Sequence, residues 1–255
     1  MKILIPTLMI VLLQSCALTK SYNNELREQV LNNMILVDGG TFDMGSSCEQ
    51  EKNCDHVQHQ VTVDSFYIGK FEVTQQLFES VLGSSSSYFP GDEFPVNYVS
   101  WQQVKYFLSK LNEETGLDFR LPTEAEWEFA ARGGTKSKDY VFSGSNDIET
   151  VGWYAQNANN KAHAVGLKAP NELGLYDMTG NVGELVEDAF DVNFYKHSPK
   201  NNPVNSIASK HPLAYKSVRG GSFSYDGHES ENFRRDSASQ SALMPDIGFR
   251  LAMSK

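Results

Sequence analysis

The sequence predicts an α+β domain with much irregular backbone, and three observations predict it. Apolar residues recur at helical spacing in only three places, the strand-like runs are short, and the connections are rich in Gly, Asn, Ser and Asp. The first helix follows Thr74, a capping residue, and runs from Gln75 to about Leu82 with Leu77, Phe78 and Val81 on one face and Gly83 as its stop. Ser100 caps the second, in which Trp101, Val104, Phe107, Leu108 and Leu111 keep a single face until Gly116. In the third, Thr123 and Glu126 have the spacing of a capping box, and Gly133-Gly134 ends the helix. Strands are expected at Met34 to Val37, Thr41 to Met44, Val61 to Ile68, Val218 to Phe223 and Phe249 to Ala252. Ser143 to Thr150 and His197 to Ser209 read as surface loops, and the chain holds no internal repeat.

The N-terminus carries a different signal. Met1-Lys2 supplies a positive charge and Ile3 to Leu13 form an apolar run too short to span a bilayer, which reads as a signal peptide over residues 1–15. The run ends in Leu13-Gln14-Ser15-Cys16, and a small residue before cysteine resembles the lipobox of bacterial lipoproteins. Cleavage there would leave Cys16 as a lipidated first residue, with several acyl chains where one alone binds only marginally. Residues 16–33 are polar and read as a tether, so the domain is expected over 34–255. Leu18, Thr19 and Lys20 include no acidic run, which points to the outer membrane and a domain facing the periplasm.

With 40% hydrophobic residues in 255, the chain can bury one substantial core. A net charge of -10 argues against a nucleic-acid partner, because little here would replace counterions along a phosphate backbone. Cys48 and Cys54 leave three readings open: a short disulfide-closed loop, a Cys2His2 zinc site with His56 and His59, or free thiols. An oxidising envelope compartment favours the first.

The order of motifs carries more than any one of them. Asp38-Gly39-Gly40-Thr41-Phe42 and Met44-Gly45 precede His59 to Thr74, then Pro95-Val96-Asn97 and Val99-Ser100-Trp101. Arg120-Leu121-Pro122-Thr123-Glu124-Ala125-Glu126-Trp127-Glu128, Gly174 to Val182, Arg219-Gly220-Gly221-Ser222-Phe223 and Gly248-Phe249-Arg250 complete the series. From Met34 to Ala252 it resembles the formylglycine-generating enzyme, or sulfatase-modifying factor, family. The resemblance implies a complex C-type-lectin-like fold with little regular secondary structure. Paired glycines such as Gly220-Gly221 would allow close backbone approach, and Trp101 and Trp127 read as core aromatics.

The family's oxidation of a substrate cysteine uses two cysteines in the hairpin after the Arg-Gly-Gly-Ser motif, which bind Cu(I) as thiolates. The matching positions here are Tyr225 and Ser230, and no cysteine occurs from Asp55 onward. Hydroxyls are hard, mostly protonated ligands, so copper is not expected and no catalytic residue is assigned. Arg219 and Ser222 remain, either as packing and carboxylate-pairing groups or as part of a retained cleft with Tyr225, His228, Ser230, Arg234 and Arg235. The family also implies a calcium site, which maps to Asp177, Gly180, Val182 and Glu184; the alternative is a loop held by hydrogen bonds. The tryptophans that flank the glutamate in the family are here Gly183 and Leu185. Two functions follow: a non-catalytic envelope lipoprotein that binds or assembles a protein partner, favoured by the missing ligands, or an oxidoreductase acting on protein side chains without those cysteines.

Overall fold

A computed structural model describes residues 21–47, 54–206 and 215–255. The apolar leader, Cys16, Cys48 and part of the loop after His197 lie outside these residues. The expected tether is corrected at once: residues 21–31 form helix α1, and Leu26 and Val30 are buried in the same cluster as Phe78, Phe107 and Leu111. The helix is pinned by Tyr22 donating to the Ser80 carbonyl and Arg27 to that of Thr115. Tyr22, Leu26 and Val30 fall four residues apart, one narrow apolar stripe on an otherwise polar segment, enough to dock one side of a helix. The domain therefore begins before Met34.

The three expected helices form where their caps place them. Helix α2 (Gln75–Leu82) starts with the Thr74 hydroxyl accepting from the Leu77 amide and ends at Gly83 in the left-handed region. Helix α3 (Trp101–Thr115) has a capping box between Ser100 and Gln103 and stops at Gly116 in the same conformation. Helix α4 (Glu124–Ala131) has the Thr123 and Glu126 box, Arg132 as its last cap and Gly133 at positive φ beyond it. Phe78 of α2 stacks on Phe107 of α3 at 5.0 Å between ring centres. Each such fully buried side chain contributes about 1.5–3 kcal/mol, so the α1, α2, α3 layer is held by its shared apolar face. A short helix α5 (Ile148–Val151), capped by Asp147, interrupts the loop expected at Ser143 to Thr150.

Two sheets and a ribbon complete the chain. Strands β1 (Met34–Val37), β4 (Phe66–Gly69), β10 (Ala252–Ser254) and β5 (Phe119–Arg120) lie in the order β1-β4-β10-β5, all antiparallel. Strand β2 (Gly40–Met44) pairs with β3 (His59–Val63). The third group is β8 (Arg235–Ser239), β7 (Tyr215–Arg219), β6 (Gly183–Ala189) and β9 (Ile247–Phe249), in that order, with β6 and β9 parallel.

Three expected strands are corrected. Val61 to Ile68 splits into β3 and β4 because the chain changes sheets at Asp64-Ser65, where Asn202 receives the Asp64 amide and Ser65 the Gly39 amide. Phe249 to Ala252 also divides between two sheets. Val218 to Phe223 ends early at Arg219, since Gly220 and Gly221 take positive φ and turn the chain. Gly180 has a similar constraint: its φ is +73° and a Cβ there would stand 2.1 Å from the Trp153 carbonyl oxygen. Gly180→Ala is expected to cost about 3 kcal/mol through combined strain and clash, read as a lowered thermal midpoint; an unchanged midpoint would refute the assigned turn.

Candidate functional site

The turn after β7 forms the floor of a cavity of about 370 Å³. Gly220 and Gly221 line it with Ser222 and Tyr225, and Asp236 and Asp246 complete the polar lining beside Ile247. The serine hydroxyls of Ser222 and Ser224 both meet Asp246 Oδ2, at 3.0 and 2.6 Å. The Tyr225 hydroxyl donates to Asp236 Oδ2 at 2.8 Å. Burial, and then the negative charges of Asp236, Asp246 and Glu229, push the Tyr225 phenol well above its ordinary pKa. Ser230 is buried with no hydrogen-bond partner for its hydroxyl, directly against Gly221.

The seven cleft residues read from the sequence therefore divide. Ser222, Tyr225, Arg234 and Arg235 line the cavity, Ser230 lies against its floor, and His228 is exposed beside Glu229 at 3.0 Å. Arg219 is a framework group. Fully buried, it donates to Glu124, Glu128, the Tyr195 hydroxyl oxygen and the Asn232 carbonyl. Arg235 forks onto Glu124 at 2.7 and 3.0 Å, with its guanidinium 4.1 Å from the Tyr195 ring centre. Burial alone would raise the Glu124 carboxyl, but Arg235 and Arg219 hold it at about 2. Of the two roles open for Arg219, carboxylate pairing is the one its geometry fits.

Glu124, Glu128, Asp236 and Asp246 were not singled out by sequence reasoning. Glu124 and Glu128 stood inside the Arg120 to Glu128 motif, where i, i+4 spacing on one helix face was an available signal. Nothing local marks Asp236 or Asp246.

Neither family metal fits the residues present as they are arranged. At the copper positions Tyr225 is engaged with Asp236, and Ser230 offers only an alcohol. At the calcium positions both oxygens of Glu184 accept from Arg250, and Oε2 also accepts from Trp127 Nε1 at 2.7 Å. A calcium ion would have to displace that guanidinium. Asp177 accepts from the Gly166 amide, while the turn at Asn181 and Val182 is held by Glu72 at 2.6 and 3.0 Å. No step is routed through either metal. Trp127 is fully buried and Trp101 nearly so, both in apolar clusters as expected.

Cys54 is disulfide-bonded, and Cys48 lies outside the described residues, so their pairing stays a proposal. His59 has both ring nitrogens engaged, one by the Val57 carbonyl and one by Ser198, which leaves none for zinc. Among the described residues no helix is long and apolar enough to cross a membrane.

Fold and site together define a formylglycine-generating-enzyme-like domain with no cysteine from Asp55 onward. The profile of the sulfatase-modifying factor enzyme 1-like domain matches residues 20–255, and the chain belongs to that family. That match begins at residue 20 and so takes in all of α1. The chain is 32% identical to the chaperone protein LppX of Paenibacillus barcinonensis, over 89% of this chain and 91% of LppX. It is 24% identical to the formylglycine-generating enzyme of Mus musculus, over 89% of this chain and 76% of that protein. Among solved structures, PvdO from Pseudomonas aeruginosa superposes with a TM-score of 0.76 at 25% identity, covering 87% of this chain and 94% of PvdO.

Proposed function

We propose that this chain is an envelope lipoprotein, anchored through Cys16, whose sulfatase-modifying-factor-like domain binds client proteins and assists their folding or assembly. The carrying observation is the Tyr225-Asp236 hydrogen bond at a position where copper chemistry needs a thiolate, in a cavity that is otherwise kept open. The likeness to LppX, named as a chaperone, supports the same reading, and its length match makes the comparison one of whole domains. The lipobox-like Ser15-Cys16 supports lipid tethering, Leu18, Thr19 and Lys20 without an acidic run support the outer membrane with the domain in the periplasm, and Cys48 with Cys54 fits an oxidising compartment.

The test uses a deletion strain complemented with the wild-type gene or with Tyr225→Arg, which fills the cavity. At least one exported protein should fall in folded yield on deletion and recover only with the wild type, as read by envelope proteomics with limited proteolysis. Alongside, purified protein with added copper should leave a cysteine-containing sulfatase peptide unchanged by mass spectrometry. Aldehyde formation, or full rescue of every exported protein by the filled variant, overturns the proposal. Cys16→Ser should abolish palmitate labelling and move the protein from the membrane to the soluble fraction, since no acyl chain would remain to hold it.

A further inference from the structure

We propose that the cavity behind the β7 turn receives the side-chain ammonium of a lysine on a bound polypeptide. The inference rests on the client-binding reading and names the chemistry that the cavity selects.

Its walls carry Glu229, Asp236 and Asp246 against Arg234, which itself lies 3.5 Å from Glu231. The Arg235 guanidinium is spent on Glu124 behind the wall. Among the described residues neither Asp236 nor Asp246 forms an ion pair; each is oriented by neutral hydroxyls, Asp236 by Tyr225 and Asp246 by Ser222 and Ser224. Such hydrogen bonds fix a carboxylate's direction without cancelling its charge. The cavity is thus prepared for a cation that the chain does not supply.

A further feature suits an ammonium, a group that has three donors and no acceptor. The Tyr225 ring on the wall offers an aromatic face to a desolvated cation. At about 370 Å³ the space admits a long side chain, and a guanidinium or ammonium head would both be attracted. The choice of lysine follows from the acceptors, which stand on two separate carboxylates, Asp236 and Asp246, rather than on one planar pair.

The experiment measures fluorescence anisotropy of labelled acetyl-Gly-Ser-Lys-Ser-Gly-amide with the mature lipoprotein in detergent. Peptides with norleucine, arginine or glutamate in the central position run beside it. Lysine should bind at least about tenfold more tightly than norleucine and more tightly than arginine, and should weaken as NaCl rises from about 50 to about 300 mM. Asp236→Asn with Asp246→Asn should remove that preference while the norleucine affinity stays; if the double variant fails to fold, the wild-type peptide ranking and salt response still decide. Norleucine or glutamate binding as well as lysine overturns the inference. Were Tyr225→Arg still to abolish rescue of the exported client, client binding would stand and only the lysine assignment would fall.

Discussion

Arg219→Ala is expected to lower the unfolding free energy by about 3–5 kcal/mol, the range for breaking a buried ion pair by deleting one partner. The guanidinium joins Glu124 and Glu128, two completely buried carboxylates on one face of α4, to the end of β7. Deletion would leave Glu128 with the partly exposed Arg132 as its one cation and Glu124 with Arg235, beside the neutral donors Gly45 N and Ser217 Oγ, and would remove the donors to the Asn232 carbonyl and the Tyr195 hydroxyl. Arg219→Lys should recover little, because an ammonium cannot meet four acceptors in one plane. Urea unfolding at neutral pH reads the effect as a shifted midpoint with the slope preserved. Arg132→Ala serves as the comparison and should cost less, since its side chain is partly exposed and Glu128 keeps both Arg219 and the Gly45 amide. A loss below about 1 kcal/mol for Arg219→Ala would mean that the network is dispensable and that the cleft floor is held by packing alone.

What was legible in the sequence was what is local. Thr74, Ser100 and Thr123 announce three helices because a cap and its partner lie three residues apart. Helix α1 escaped because Tyr22, Leu26 and Val30 make a stripe one residue wide, and its burial depends on α2 and α3 far along the chain. The run Val61 to Ile68 reads as one strand because β-branched and aromatic residues fill it, but its alternation slips by one at Asp64-Ser65, from Val61 and Val63 to Phe66 and Ile68, and the change of sheet there is set by Asn202 from a distant loop. The cavity was half legible. Its floor follows from an ordered motif, Arg219 to Ser222, but Asp236 and Asp246 gain meaning only when Tyr225 and Ser222 are folded against them. The partner of Glu184 is hidden for a like reason: Arg250 sits 66 residues away, and both oxygens of Glu184 accept from it.

Thermal stability is expected to peak between about pH 4 and pH 5 and to fall toward pH 8, because buried carboxyls on this fold move in opposite directions. Glu124, held at about 2 by Arg235 and Arg219 against the effect of burial, contributes stability that is complete above its ordinary range near 4.5 and is lost as pH falls from there toward 2. Asp188 goes the other way. Burial first, and then the charge of Glu124, raise it to about 7, and Asp177 is raised by burial to about 6. Across the window from 3.8 to 7 the unfolded chain releases these protons while the folded chain keeps them, so the folded state loses ground as pH rises. Glu72, pushed well up by burial and by Asp177 and Glu184, adds to the same slope. Each tenfold difference in proton affinity between the folded and unfolded chain is worth about 1.4 kcal/mol, so the decline amounts to several kcal/mol. Asp188→Asn removes the titrating group, at the cost of one acceptor, since both Asp188 oxygens accept from the backbone amides of Glu124 and Asn205. Melting temperatures from pH 3 to pH 8 should show the variant with a flatter descent above pH 5 than the wild type. A wild-type profile that climbs steadily to neutrality, or a variant with an unchanged slope, would show that Asp188 is ionised in its buried position throughout.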